Sequence, residues 1–379
     1  MDSQCDDSHR DRARAFAAEE VAVSATYRDH ERRWDPGLFR RMGERGLLGA
    51  TVPVEHGGSG LSAADLSQLL MAFGEGGTDA GLCLSWAAHT LGCAMPIAWF
   101  GDAAQRLCHL PALCRGEKVG AFAHAEPQIE GDRLGIGARA VRGGGGFVLN
   151  GEKTWVVNGA VADLFVVTAR TDVERGKEGV STFLIERATP GLRVSGPREI
   201  AGMRSAAVAD ITLRDCYVPS SALLGPEVAG WTQVVTRIVR WERALVGAAW
   251  VGVEGALLKH ATARARERLD LGQPLSRSQA IRARLADLRI RHEHCKCILA
   301  QAAWAMDHDP ETADRAAVTA RLFIAKDAAQ ASRDALSIFG ADGDPLAERI
   351  HRDALVFDQL SGGADRLRSV LAGSLFRLG

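Results

Sequence analysis

The hydrophobic period of this chain changes twice along its length, and that order narrows the folds open to it. From about residue 11 to 116, apolar residues recur at helical spacing, and Leu66, Leu69, Leu70 and Phe73 form one such stripe. From about residue 117 to 225 the pattern is short β-type runs between turns. Leu164-Phe165-Val166-Val167 and Thr182-Phe183-Leu184-Ile185 are two runs, and 207–213 alternates small apolar with polar residues. Gly143-Gly144-Gly145-Gly146, Asn150-Gly151 and Pro190-Gly191 mark turns. From about residue 231 to 377 long helical segments return. Leu245, Ala249, Val253 and Ala256 share one side of a helix that Gly272-Gln273-Pro274 ends, and further helices are predicted near 278–306, 312–340 and 365–375. The expectation is a mainly α chain with a central β domain. It comprises an N-terminal helical domain (1–116), a middle β-barrel or sandwich (117–225) and a C-terminal helical bundle (226–379).

Composition removes several functional classes. The 379 residues carry 46 basic and 47 acidic side chains, so no basic excess points to nucleic acid. With 46% apolar residues the chain is too hydrophobic for disorder. The longest apolar run, 244–253, is too short to span a bilayer. Met1-Asp2-Ser3-Gln4-Cys5 lacks the basic start of a secretion signal, so a cytoplasmic protein without membrane partners is expected, its eight cysteines reduced.

One cluster, His292-Glu293-His294-Cys295-Lys296-Cys297, contains metal-ligand residue types. It lies in a helical pattern, where residues two apart point to different faces. No second pair completes a tetrahedral set, so no metal is expected there.

Several segments, in order, resemble the flavin-dependent acyl-CoA dehydrogenase family over nearly the whole chain. Val54-Glu55-His56-Gly57-Gly58-Ser59-Gly60-Leu61 is similar to its first glycine-rich turn. Ala121-Phe122-Ala123-His124-Ala125-Glu126-Pro127 resembles "AFAxTEP", and Leu149-Asn150-Gly151-Glu152-Lys153-Thr154-Trp155-Val156-Val157-Asn158-Gly159 resembles "LNGxKxWITNG". Asp215-Cys216-Tyr217-Val218-Pro219, followed by Leu224-Gly225, is similar to "DVxVPxxNLLG". Arg268-Leu269-Asp270-Leu271-Gly272-Gln273-Pro274-Leu275 resembles "RxxFGxPL". The resemblance implies a middle β-barrel, a C-terminal four-helix bundle and FAD held between the subunits of a homodimer or homotetramer. It also implies a thioester substrate placed between the flavin and a carboxylate, which removes the α-proton while the β-hydrogen leaves as hydride to flavin N5. Burial of the base and hydrogen bonds to the thioester oxygen make that proton removable.

Carried over position by position, the cofactor-binding candidates are Phe122, Ala125, Trp155, Val157, Arg268, Leu271 and Gly340. The substrate-binding candidates are Gly131, Arg240 and Arg243. Trp155 matches the tryptophan beside the flavin, and a core strand aromatic is its plainer reading. Arg268 matches the arginine that reaches the neighbouring subunit's FAD, where a guanidinium fork suits pyrophosphate. Ala125 and Val157 stand where the family has threonines, Leu271 where it has phenylalanine, and Gln128-Ile129-Glu130-Gly131-Asp132 where it has "GAGSD". The turn of Gly340 is Phe339-Gly340-Ala341-Asp342-Gly343.

The largest departure concerns the base. The usual glutamate follows an "RD" pair by nine residues, and here that position is Ser361, after Arg352-Asp353. Isovaleryl- and long-chain-type members carry the glutamate elsewhere, directly before the arginine of an "ER" pair. This chain has Trp241-Glu242-Arg243 at that place, which makes Glu242 the candidate base, with Asp358 and Asp365 as weaker ones. The expected reaction is dehydrogenation of a short acyl thioester on CoA or an acyl carrier protein, in a biosynthetic branch of the polyketide kind. The α,β double bond is the default, and γ,δ-desaturation of a 2-enoyl thioester is a further option. Electrons pass to an electron-transfer flavoprotein or another acceptor. A flavin monooxygenase or oxidase, identified by fast air oxidation, and a non-catalytic oligomeric relative, purified without yellow colour, are the alternatives.

Overall fold

The computed structural model describes residues 7–127, 136–270 and 272–376. Seven α-helices come first: α1 (Asp7–Phe16), α2 (Ala22–His30), α3 (Pro36–Glu44), α4 (Ala63–Gly77), α5 (Ala80–His89), α6 (Met95–Phe100) and α7 (Ala103–Cys114). Side-chain caps set several starts: Asp35 accepts from Leu38 N, Ser62 from Asp65 N, and Asp79 from Leu82 N. The stripe Leu66, Leu69, Leu70 and Phe73 is buried on α4. The run Ala80–Phe100 is apolar and long enough to cross a membrane, but 94% of it is buried inside the fold, as suits a core helix.

Seven strands follow: β1 (Gly120–Ala123), β2 (Arg139–Gly143), β3 (Gly146–Val156), β4 (Leu164–Arg170), β5 (Val180–Glu186), β6 (Leu192–Val194) and β7 (Ala209–Pro219). They form one curled sheet of order β1-β4-β2-β3-β7-β6, with β5 also on β4. The expectation of a β-barrel or sandwich is refined here: the sheet is mixed, with β1–β4 and β2–β4 parallel, and among the described residues no pairing joins the two ends of the path. The β2–β3 hairpin turns through Gly144 and Gly145, whose φ values of 60° and 81° fit the mirror-image turn that such hairpins need.

The C-terminal part holds α8 (Thr236–Glu267), a two-stranded ribbon of β8 (Leu269–Asp270) and β9 (Gln273–Pro274), then α9 (Gln279–His308), α10 (Pro310–Phe339), α11 (Pro345–Gln359) and α12 (Gly363–Leu375). Sequence periodicity missed α11. It also gave α8 a single buried side, whereas residues 244–255 are buried all round, because α4, α9 and α10 surround this helix. Glycines permit its close crossing with α4. A Cβ at Gly252 would lie 1.9 Å from Met71 O, and one at Gly74 2.0 Å from Ala249 O.

Buried polar links fix the parts to one another. Arg28 of α2 meets Asp79 at 2.6 Å, and Ser205 Oγ donates to the same carboxylate at 2.5 Å. His89 of α5 donates from Nε2 to Leu113 O at 3.1 Å and accepts the Gly120 N–H on Nδ1 at 3.0 Å. Burial lowers its pKa to about 4, which keeps Nδ1 able to accept and holds β1 against the helices.

Candidate active site

The cavity of interest forms where α8 begins. A π-helical segment, Gly230–Val235, leads into α8, and such segments are frequent at functional sites. A cavity of about 230 Å³ opens there between the sheet, α10 and α12. Its apolar lining includes Val235, Val239, Val318 and Val370, with Trp231 at one side. Its polar lining is mostly cationic: Arg240 and Arg243 from α8, Arg315 from α10 and Arg366 from α12. Arg240 is held by Asp314 through bonds of 2.5 and 2.8 Å. Burial lowers the Arg243 pKa, the nearby Glu242 charge opposes this, and Arg366 adds to it.

His124 also lines the cavity, from the segment after β1. Its ring stacks on Phe122 at 5.5 Å and lies 5.3 Å from the Trp231 ring. Burial, with Lys153, Arg366 and Lys177, pushes its pKa down to about 3, so the ring is neutral. Behind it, buried Lys153 donates to Glu126 at 2.5 Å and to Thr168 Oγ1 at 3.0 Å. Glu126 in turn accepts the Ala138 N–H at 3.2 Å. The glutamate of the "AFAxTEP"-like segment and the lysine of the "LNGxKxW"-like segment therefore form one buried ion pair.

The residues singled out from the sequence fall into three groups. Arg240 and Arg243 line the cavity. Glu242 is half-buried beside them, its charge acting on Arg243 and on Arg321 of α10. Its side chain is not among the cavity lining. Phe122 bounds the cavity through His124.

The second group holds the residues that the resemblance would place at the cofactor. Trp155 is 47% exposed, which removes the core-aromatic reading. It has φ 55°, its N–H donates to Asp210 at 3.0 Å, and the Arg198 guanidinium sits 5.2 Å from its ring. Ala125 is exposed nearby and its carbonyl accepts the Thr154 N–H at 2.8 Å. Val157 is half-buried against the main core. Arg268 and Gly340, far apart in sequence, meet: the guanidinium donates to Ile338 O at 3.2 Å and to Phe339 O. A Cβ at Gly340, where φ is 70°, would lie 2.3 Å from Arg268 Nη1.

Gly131 and Leu271 lie outside the described residues, as does the side chain of Ser361. Asp365, at 97% side-chain exposure, pairs with Arg368 on the outer surface of α12, and Asp358 accepts from the Gln359 amide. Trp231, Asp314, Arg315 and Arg366 carried no signal in the sequence, since they come from three separate places in the chain: the π-helical entry to α8, α10 and α12. His124 lay inside a recognised motif, at its variable position.

The metal-type cluster on α9 is taken apart by the fold. Cys297 is exposed while Cys295 is buried. Cys295 meets residues of two other helices, Glu254 and Asp327, with ligand-type atoms all within 4.8 Å, an arrangement no linear motif could reveal. The thiol contacts Asp327 Oδ2 at 3.6 Å, and Arg291 reaches the other oxygen at 3.4 Å. Burial raises the pKa of both carboxyl groups, and the Asp327 charge raises that of Glu254 further, while Arg291 opposes the rise.

Family models for the acyl-CoA dehydrogenase N-terminal, middle and C-terminal domains match residues 4–117, 121–216 and 229–376. The chain belongs to the acyl-CoA dehydrogenase family. It is 36% identical, over 99% of its length and 100% of the relative's, to an L-prolyl-[peptidyl-carrier protein] dehydrogenase of Pseudomonas fluorescens. It superposes on the prolyl acyl carrier protein oxidase AnaB with a TM-score of 0.93 at 32% identity, covering 99% of both chains. On the butyryl-CoA dehydrogenase of Megasphaera elsdenii the TM-score is 0.93 at 27% identity, with 100% of both chains covered. As a member, the chain is an FAD-dependent oxidoreductase of the CH–CH group of acyl thioesters.

The residues present fit FAD at two places. Trp155 offers an aromatic face that is 47% exposed, and the Arg268 guanidinium packs against the Gly340 turn, whose positive φ favours glycine. Arg268→Ala should therefore lower the FAD content of the purified enzyme, read from the ratio of flavin to protein absorbance. Unchanged content would detach Arg268 from the cofactor.

Proposed function

We propose that this enzyme introduces an α,β double bond into a short acyl unit carried as a thioester on a carrier protein, with Glu242 as the base. The carrying observation is the cavity of about 230 Å³ at the start of α8, ringed by arginines. A space of that size suits a short or cyclic acyl unit and not a long chain. The relatives named for carrier-bound prolyl substrates favour a carrier protein over CoA. The exposed apolar side chains Ile290, Trp304 and Phe323 on α9 and α10 favour a homo-oligomer.

In this reading the thioester end enters past the arginines, which are hydrogen-bond donors only. Neutral His124 and Trp231 bound the acyl unit, and the valines exclude water. Glu242, whose charge acts on the cavity-lining Arg243, is the residue assigned to take the α-proton. Bound FAD supplies the two-electron acceptor for the hydride that leaves the adjacent carbon. An electron-transfer flavoprotein or another acceptor then takes the electrons onward.

The test compares butyryl-CoA with butyryl and prolyl units loaded on a carrier protein, under anaerobic conditions. A carrier-bound short unit should bleach the flavin and lose two hydrogens by mass. Bleaching by long-chain acyl-CoA alone would refute the proposal.

A further inference from the structure

Three helices of the C-terminal bundle each bring one side chain to a single buried point. Glu254 of α8, Cys295 of α9 and Asp327 of α10 are 3%, 0% and 7% exposed, and their ligand-type atoms all lie within 4.8 Å of one another. The Cys295 thiol contacts Asp327 Oδ2 at 3.6 Å, and Arg291 reaches Oδ1 of the same carboxylate at 3.4 Å. The run 292–297 gave Cys295 no partners on its own helix; these partners come from α8 and α10. None of the three residues lines the cavity at the start of α8.

Glu254 is the group that this arrangement leaves unsatisfied. Both of its carboxylate oxygens are buried, and neither has a hydrogen-bond partner. The side chain is nevertheless aimed at Cys295 and Asp327. An ionised carboxylate only accepts hydrogen bonds, and burying it without a donor is costly. A proton or a cation relieves that cost. The thiol favours a cation, because it adds a metal-ligating atom that a pair of carboxyl groups sharing a proton does not need. Charge favours it too. With the thiol ionised, the three side chains carry three negative charges and Arg291 one positive, which leaves the two that a divalent ion balances.

We propose that Glu254, Cys295 and Asp327 form a site for one zinc ion, which clamps α8, α9 and α10 together. One thiolate and two carboxylates are a mixed set that suits this borderline-soft ion. Ligands 2.0–2.3 Å from a tetrahedral ion stand about 3.3–3.7 Å apart, and the Cys295–Asp327 separation already has that value. Glu254, held by no hydrogen bond, completes the set by a shift of at most about 1.5 Å. On binding, Zn²⁺ replaces the thiol proton and any carboxyl proton, and these leave to solvent. Water takes the fourth position. Gly255 and His292, the residue after Glu254 and the one a turn before Cys295, line an open cleft of about 820 Å³, which shortens the way in from solvent.

The test takes the FAD-loaded, untagged enzyme, strips it with a chelator and dialyses it against ZnCl₂, with metal analysis and thermal unfolding. One zinc per chain and a higher melting temperature are expected. Cys295→Ala and Asp327→Asn should each weaken zinc binding by more than about ten-fold, since even the outer partners of a bound ion are worth that much. Cys297→Ser, on the exposed side of the same helix, should bind zinc as the wild type does. A stripped enzyme that takes up no zinc holds a shared proton only, and that overturns the proposal. Zinc that stays in Cys295→Ala and Asp327→Asn, or is lost in Cys297→Ser, belongs to the surface and overturns it as well. Should the Cys295 and Asp327 variants not fold, the Co²⁺-loaded enzyme decides, read as a difference spectrum against its Zn²⁺ form. A thiolate-to-cobalt band that persists in the double variant Cys108→Ser/Cys297→Ser, which removes the exposed cysteines among the described residues, supports the site. Loss or absence of that band overturns it.

Discussion

Glu242→Gln should slow flavin reduction by a good acyl thioester by about 10²- to 10⁴-fold, the usual contribution of one general base. Glutamine keeps the shape of the side chain and removes its ability to accept a proton. The residue is half-buried in the second turn of α8, and its charge acts on Arg243, which lines the cavity. Ser361→Ala should cost little, because a serine without a partner base cannot take a proton from carbon. FAD content and the melting temperature serve as controls that the Gln variant is folded and loaded. Reduction at the normal rate would move the base to another residue. Asp358 is then the one to change next, since its charge also reaches Arg321.

The largest effect on stability is expected at Lys153→Met. Lys153 and Glu126 have side-chain exposures of 0% and 2% and meet at 2.5 Å. Burial brings the Lys153 pKa down to about 8 even with the opposing pull of Glu126. Taking away one partner of a buried pair strands the other charge, which costs about 3–5 kcal/mol. In Lys153→Met the Glu126 carboxylate would keep, among the described residues, the backbone N–H groups of Gly137 and Ala138. The double variant Lys153→Met/Glu126→Gln should recover part of the loss, because no uncompensated charge then remains. Urea unfolding of the three proteins measures this. A single variant within about 1 kcal/mol of wild type would mean that the pair is solvated, as exposed pairs of that worth are. His124 should feel the change too, since Lys153 is the first charge to act on it after burial.

Lys153 also shows where sequence reasoning is strong and where it ends. Lys153, Trp155 and Asn158 lie in one continuous motif, and their roles diverge only in three dimensions. Lys153 is a buried anchor, and Trp155 is an exposed face. Asn158 is a buried linker that donates to Ser85 O at 2.9 Å and Gly120 O at 3.1 Å. Spacing alone cannot separate them, because β3 carries bulges at this point and the strict alternation of a strand is lost.

The helix–sheet–helix order, the family and FAD were legible in the chain itself. Periodicity is a local property, and the glycine and proline turns mark its changes. The replacement of a carboxylate by Ser361 and the presence of Glu242 before Arg243 were equally local. The tertiary structure alone decided which side chains share the cavity. His124, Arg240, Arg315 and Arg366 come from one strand end and three helices, and no period relates them. It also decided that Cys295 faces Glu254 and Asp327 instead of its own neighbours, and that Arg321 holds the end of α11. The physical reason is the same in each case. A helix determines which residues share its face, but which face meets which neighbour depends on packing between helices, and that is set by the close contacts of Gly74 and Gly252 and by the parallel course of α8 and α10.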